Sequence, residues 1–172
     1  MIIIILLDSL GRGGAVIRIA EVEDAKLVHE IMLSAFEEYR HLEVPPSALD
    51  EKVSLIEESL RNGKGKALLY YQDEIPVGSC RFKIDGDALN FSRLSVRPEF
   101  RGNGIAKTIL QWLEQYALEN NIIELSCRVR MALPQNIDLY QSIGYSVTKE
   151  EVVINPNGFP VKTVVMNKKL GC

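Results

Sequence analysis

The sequence predicts a mixed α/β domain with β-hairpins at its centre, and three observations carry that expectation. Apolar residues recur with period two in some segments and with helical spacing in others, and the two patterns alternate along the chain. Turn signals at Asp85-Gly86 and Asn155-Pro156-Asn157-Gly158 join strand to strand. A turn with two glycines, Arg101-Gly102-Asn103-Gly104, joins a strand to a long helix.

Each element follows from its own residues. Residues 16–20 alternate as a short strand. Asp24 caps a helix with Val28, Ile31, Met32, Ala35, Phe36 and Tyr39 at helical spacing, and Pro45-Pro46 stops it. Ser47 and Asp50 give a box-like start to a second helix, with Leu49, Val53, Ile56 and Leu60 on one face and Asn62-Gly63 at its end. Strands are expected over 67–71, 77–84 and 88–96, the first two joined by a polar turn at Asp73-Glu74. A third helix carries Ile105, Ile109, Leu113 and Tyr116 on one side and closes at Asn120-Asn121. A buried-type strand over 122–129 follows. Pro134 opens a fourth helix bearing Ile137, Leu139, Tyr140 and Ile143, with Gly144 placed for a left-handed cap. Strands over 145–154 and 161–166 complete the order, giving a sheet of about seven strands flanked by about four helices.

The length of 172 residues suits one compact domain, read here as 16–172. A net charge of −3 and a pI near 5.5 lack the basic surplus of a protein that grips nucleic acid. Residues 1–15 read as an appendage. Their aliphatic run, Ile2 to Leu7, is far short of the ~20 apolar residues of a membrane span, and no basic leader precedes it. An extra edge strand, a partner contact with a homodimer in view, and a start placed too early are the alternatives. Cys80, Cys127 and Cys172 form neither a disulfide framework nor a zinc pattern, so no metal is expected and the cytoplasm is the natural compartment. Cys80 and Cys127, in apolar strand-like runs, read as small buried hydrophobes.

The chemistry concentrates in residues 94–106, where a strand, a glycine turn and a helix start follow one another. The first amides of a helix have no intrahelical acceptor, and glycines let a phosphate approach the main chain. Arg93, Arg97, Arg101 and Lys107 stand there against one acid, Glu99, and this local excess suits an anionic ligand. A glycine turn before a helix is by itself weak, because many such turns bind nothing.

The flanking residues add specificity. Val96-x-Pro98-x-x-Arg101-Gly102-x-Gly104-Ile105-Ala106 resembles the signature of the GNAT N-acetyltransferase family, Arg/Gln-x-x-Gly-x-Gly/Ala, with Arg101, Gly104 and Ala106 in its three places. Leu139-Tyr140-Gln141-Ser142-Ile143-Gly144-Tyr145 is similar to the family's Leu-Tyr-x-x-x-Gly-Phe. The resemblance implies the GNAT fold, acetyl-CoA as co-substrate, and direct acetyl transfer to the amine of a small-molecule or peptide acceptor. It implies that the amides of Arg101, Gly102, Asn103, Gly104, Ile105 and Ala106 bind the coenzyme A pyrophosphate. Leu94, Ser95 and Val96 would pair with the pantetheine arm, one of their amides polarising the thioester carbonyl, and Tyr140 would protonate the departing thiolate.

Two departures from the family pattern stand out. Leu133 occupies the position where many members carry a cofactor-contacting Asn, and Asn136 is the nearest substitute. The strand before the turn offers Asn90, Ser92 and Arg93 where an acid often acts as base, leaving Glu37, Glu38 or a water chain. Glu37, Glu38, Glu43, Asp50 and Glu51 form either an acidic rim that favours a cationic acceptor or a solvated acidic face. The alternative to an enzyme is a coenzyme-A-binding domain without turnover, acting as sensor or structural partner.

Overall fold

The computed structural model describes residues 4–6 and 14–171, with side chains described from residue 14. The elements are β1 (Ile4–Leu6), β2 (Ala15–Ile19), α1 (Ala25–Phe36), α2 (Val53–Asn62), β3 (Lys66–Gln72), β4 (Ile75–Asp85) and β5 (Ala88–Val96). They continue with α3 (Ile105–Glu119), β6 (Glu124–Arg130), α4 (Pro134–Ser142), β7 (Ser146–Ile154) and β8 (Pro160–Lys169). The strands follow the order β1-β2-β3-β4-β5-β6-β8-β7. The β5–β6 pair is parallel, and the β1–β2, β2–β3, β3–β4, β6–β8 and β8–β7 pairs are antiparallel, which makes the sheet mixed. All seven expected strands are present.

The eighth is β1, pairing Ile4, Ile5 and Leu6 with Ile17, Val16 and Ala15. Part of the N-terminal segment is thus an edge strand. Residues 1–3 and 7–13, with the Gly11-Arg12-Gly13 break and the rest of the aliphatic run, lie outside the described residues, as does Cys172.

Chain contacts divide into two units. Among the described residues the first comprises 4–6, 14–83 and 93–113, the second 84–92 and 114–171.

In the first unit β3 is buried on both faces. Ala67 and Leu69 join Ala20, Ala25, Val28, Ile31 and Ile56 in a core under α1 and α2. α2 gives this core one fully buried side chain, Ile56, worth about 1.5–3 kcal/mol, against three buried residues from α1, Ala25, Val28 and Ile31. α1 is therefore the main cover, and α2 adds the partly buried Val53 and Leu60 on either side of Ile56. On the opposite side Trp112 of α3 meets Phe82 edge-on at 5.8 Å. Gly78 lies where a Cβ would come within 3.2–3.3 Å of Ile109 Cδ1, Ser95 O and Tyr70 Cβ, so its missing side chain lets α3 and the end of β5 sit close to β4.

Local chemistry sets the boundaries. Asp73 and Glu74 both have positive φ, 50° and 69°, the pattern of a two-residue I′ hairpin turn. Gly63 (φ 73°) ends α2 as a left-handed cap. The second helix begins later than expected, because 47–50 form only a 3-10 turn and the chain is extended at Glu51 and Lys52 (ψ 131° and 145°). The first helix ends earlier, passing into a 3-10 turn over Glu37–Tyr39.

In the second unit β8 lies between β6 and β7. Leu125, Val164 and Met166 are buried with Ala117. Asn121 (φ 60°) closes α3, the Ile122 amide donating to Ala117 O at 2.8 Å. The β7–β8 turn is tied by Asn155 Oδ1, which accepts from the amides of Asn157 and Phe159 at 3.0 and 2.9 Å.

Arg18 on β2 donates to both Asp24 oxygens, at 2.7 and 2.8 Å, and to the Tyr71 hydroxyl at 2.9 Å, while Asp24 also accepts from the Glu21 amide. The guanidinium holds the Asp24 carboxyl below its ordinary value. A carboxylate with a lowered folded-state pKa stabilises the fold above its unfolded pKa of about 3.9, and that contribution is lost as pH falls through the folded value. Asp24→Asn is therefore expected to lower Tm at neutral pH, with the gap to the wild type closing as pH is taken below about 4. A gap that is constant with pH would contradict this role.

Candidate active site

The glycine turn is fixed from both ends within the first unit. The Arg97 amide donates to Val77 O at 2.8 Å and its Nε to Pro76 O at 3.0 Å, which anchors the end of β5 on β4. Pro98–Phe100 form a 3-10 turn, and Asn103 Nδ2 donates to Phe100 O at 2.9 Å across the loop. Gly102 and Gly104 then take φ of 82° and 75°. A side chain in this region costs roughly 1–2 kcal/mol, which explains the residue choice at both places. A Cβ placed on either glycine would meet no atom within 4 Å. The glycines thus serve the backbone path and leave open space beside it.

The first ladder bond of α3 runs from the Thr108 amide to Gly104 O at 3.0 Å. The amides of Ile105, Ala106 and Lys107 precede that bond and have no intrahelical acceptor, and the helix dipole adds partial positive charge to them. With an unobstructed approach over Gly102 and Gly104, this end fits a phosphate group. Residues 94–106, nominated together from the sequence, are continuous in this one unit.

The arginines are used differently from the sequence expectation. Arg101 Nη2 donates to Ala35 O at 3.0 Å and its Nη1 pairs with Glu38 at 2.8 Å, tying the turn to the end of α1. Arg97 is bonded to Pro76 O, and Arg93 pairs with Glu51 at 3.3 Å. Three of the four basic side chains thus serve the fold, and the case for an anion rests on main-chain amides.

Three of the five acids of the rim are similarly spent. Glu37 pairs with Arg40, which holds its carboxyl below the usual range and makes it a poorer proton acceptor. Glu38 pairs with Arg101, and Glu51 is shared by Arg81 and Arg93. His29 is engaged as well, its Nε2 2.7 Å from Glu51 O. Burial pushes the Arg93 guanidinium below its ordinary value, Glu51 opposing that shift and Arg81 adding to it. Sequence reasoning missed this Glu51–Arg81–Arg93 cluster, since the three residues are far apart in the chain. A second hidden feature is the φ of 54° at Arg93, a left-handed residue inside β5. The β5–β6 register runs from Leu89–Leu125 to Asn90–Ser126, just before it.

Tyr140 and Asn136 belong to the second unit. The Tyr140 ring packs on Phe91 at 5.9 Å and on Tyr145 at 5.6 Å, and its carbonyl accepts from the Tyr145 amide at 3.0 Å. This aromatic trio fixes the ring without burying it fully, as a half-exposed aromatic with a polar tip requires. Asn136 sits in the first turn of α4, its amide bonded to Leu133 O at 3.0 Å. Leu133 is buried, so the residue at the family's Asn position is a packing group here. Cys127 is also buried, which pushes its thiol up to about 12 and leaves negligible thiolate near neutral pH. Among the described residues no group of three or more His, Cys, Asp or Glu is placed as a metal site, and no helix is long and apolar enough to cross a membrane.

A mixed sheet whose strand leads through a left-handed glycine turn into a helix agrees with the α/β acyltransferase fold that the two motifs imply. The chain belongs to the acetyltransferase (GNAT) family, whose model matches residues 26–145. A provisionally named acetyltransferase of Bacillus subtilis (strain 168) is 27% identical over 108 residues, 63% of this chain and 69% of that protein. The ribosomal-protein-S18-alanine N-acetyltransferase of Escherichia coli superposes with a TM-score of 0.69 at 15% identity, over 92% of this chain and 95% of that one. A GNAT-family acetyltransferase from Streptococcus pneumoniae gives 0.71 at 16% identity, over 91% and 99%. These structural likenesses establish the fold.

Because no atom crowds either glycine, substitution there isolates the cost of backbone conformation. Gly104→Ala is expected to destabilise the protein by about 1–2 kcal/mol in urea unfolding, with an unchanged m-value. An unaltered midpoint would contradict the left-handed conformation.

Proposed function

We propose that this protein is an acetyl-CoA-dependent N-acetyltransferase that passes an acetyl group directly to the amine of a small molecule or peptide. The observation that carries this reading is the open, left-handed turn at Gly102 and Gly104, which delivers the unpaired amides of α3 to a diphosphate. Family membership supports the reaction type.

In this reading the amides of residues 102–107 hold the pyrophosphate, the Arg101 amide being spent on Pro98 O at 3.3 Å, and the main chain of residues 94–96 pairs with the pantetheine arm as an added strand would. An amide of that segment donates to the thioester oxygen and stabilises the negative charge it gains on attack. The acceptor reacts as the free amine. An alkyl ammonium has a pKa of about 10.4, so a proton must leave before a nitrogen lone pair is available. The new C–N bond forms as the C–S bond breaks. The thiolate takes a proton from Tyr140, whose ring is oriented by Phe91 and Tyr145, and the proton released by the acylated nitrogen restores the phenol. The products are the amide and coenzyme A. Holding donor and acceptor together supplies much of the acceleration.

With Glu37 and Glu38 both paired to arginines, a water-relayed path for the amine proton is the better-supported choice. The direct test is thiol release from acetyl-CoA against polyamines, amino acids, aminoglycosides and peptides. Tyr140→Phe is expected to lower kcat at least roughly tenfold, about 1.4 kcal/mol, with acetyl-CoA affinity kept. Unchanged turnover would remove Tyr140 from proton transfer. Tight acetyl-CoA binding with no acceptor turned over would favour a coenzyme-A-binding domain without catalysis.

A further inference from the structure

Arg93 takes a φ of 54° in the interior of β5, a conformation uncommon for a residue with a long side chain. Nothing in its own chemistry selects that conformation, as Gly or Asn would. A strained residue of this kind persists only where its surroundings over-determine it. Three contacts do so here. Arg93 Nε meets Glu51 Oε2 at 3.3 Å, Nη2 donates to Ser47 Oγ at 3.3 Å, and the Arg93 carbonyl accepts from Ser95 Oγ at 2.9 Å.

Glu51 is the centre of this arrangement. Its second oxygen is bound by Arg81, and its side chain is only 9% exposed. The Glu51 carbonyl can only accept, so His29 Nε2, 2.7 Å away, is the donor and ties the residue to α1. Arg81 Nη1 is buried without a hydrogen-bond partner among the described residues. Without the Glu51 carboxylate two guanidinium groups would face each other with their mutual charge uncompensated.

We propose that Glu51 is a positioning residue for the bound thioester: its carboxylate, shared by Arg81 and Arg93, locks Arg93 in the left-handed conformation that directs the main chain of residues 94–96. The proposal rests on the acetyl-CoA reading and adds to it a residue that touches neither substrate. Glu51 acts on the strand, whereas the glycine turn is fixed separately through Arg101, Glu38 and Ala35. A ligand spanning both turn and strand should therefore feel its loss, and a ligand reaching the turn alone should not.

The test is a double-mutant cycle read by NMR titration well below the melting temperature, with acetyl-CoA as the spanning probe and ADP as the diphosphate-only probe. Glu51→Gln is expected to raise the acetyl-CoA Kd at least roughly tenfold and the ADP Kd less than about twofold. In an Arg93→Gly background, where glycine holds positive φ unaided, Glu51→Gln should change the acetyl-CoA Kd less than about threefold. A purely structural Glu51 would lower Tm and leave this pattern absent. Wild-type acetyl-CoA affinity in Glu51→Gln, equal losses for both probes, or an undiminished effect in the Arg93→Gly background would each overturn the proposal. Should Glu51→Gln fail to fold alone, the comparison within the Arg93→Gly background decides, a roughly tenfold loss there refuting it. A wild type that binds neither probe would contradict the acetyl-CoA reading itself, and the proposal would fall with it.

Discussion

Positive φ at Gly102 and Gly104 is the constraint on which the candidate site depends. It lets the chain leave β5 and enter α3 with open space beside both glycines. The approach is set further back, at Gly78, where a Cβ would be crowded by Ile109, Ser95 and Tyr70 at 3.2–3.3 Å. Strand and helix therefore lie close at this point, while the turn between them is anchored on its own through Arg101.

Charge in this region is used mainly inward. Arg97 and Arg101 spend their donors on main-chain carbonyls of β4 and α1, and Arg101 also neutralises Glu38. An exposed pair such as Arg101–Glu38 contributes little net stability. The value of these contacts here is registration: they fix where the turn begins. An anion arriving at the turn is then met by dipoles already aligned, with little reorganisation to offset.

Much of the fold was legible because its signals are local. Asp85-Gly86, Asn62-Gly63, Gly104 and Asn120-Asn121 each mark a boundary that the backbone confirms, and the period-two runs became the expected strands. The start of α2 was misplaced because the box-like Ser47 and Asp50 describe a local preference, whereas Glu51 is held extended through contacts with β4 and β5. The turn residues of the site were equally readable, since only glycine meets their conformation cheaply. The left-handed Arg93 was not, because arginine carries no such preference and its conformation is imposed by residues about 40 positions away in sequence. The destinations of the acidic and basic side chains were likewise invisible, as pairing partners are chosen by the tertiary fold.

The most direct measurement is an amide-resolved NMR titration of the wild-type protein with desulfo-coenzyme A. The account predicts that the largest shifts fall on the amides of residues 102–107, where diphosphate oxygens would take up the donors that α3 leaves unpaired. Binding that leaves those amides unmoved while others shift would contradict it.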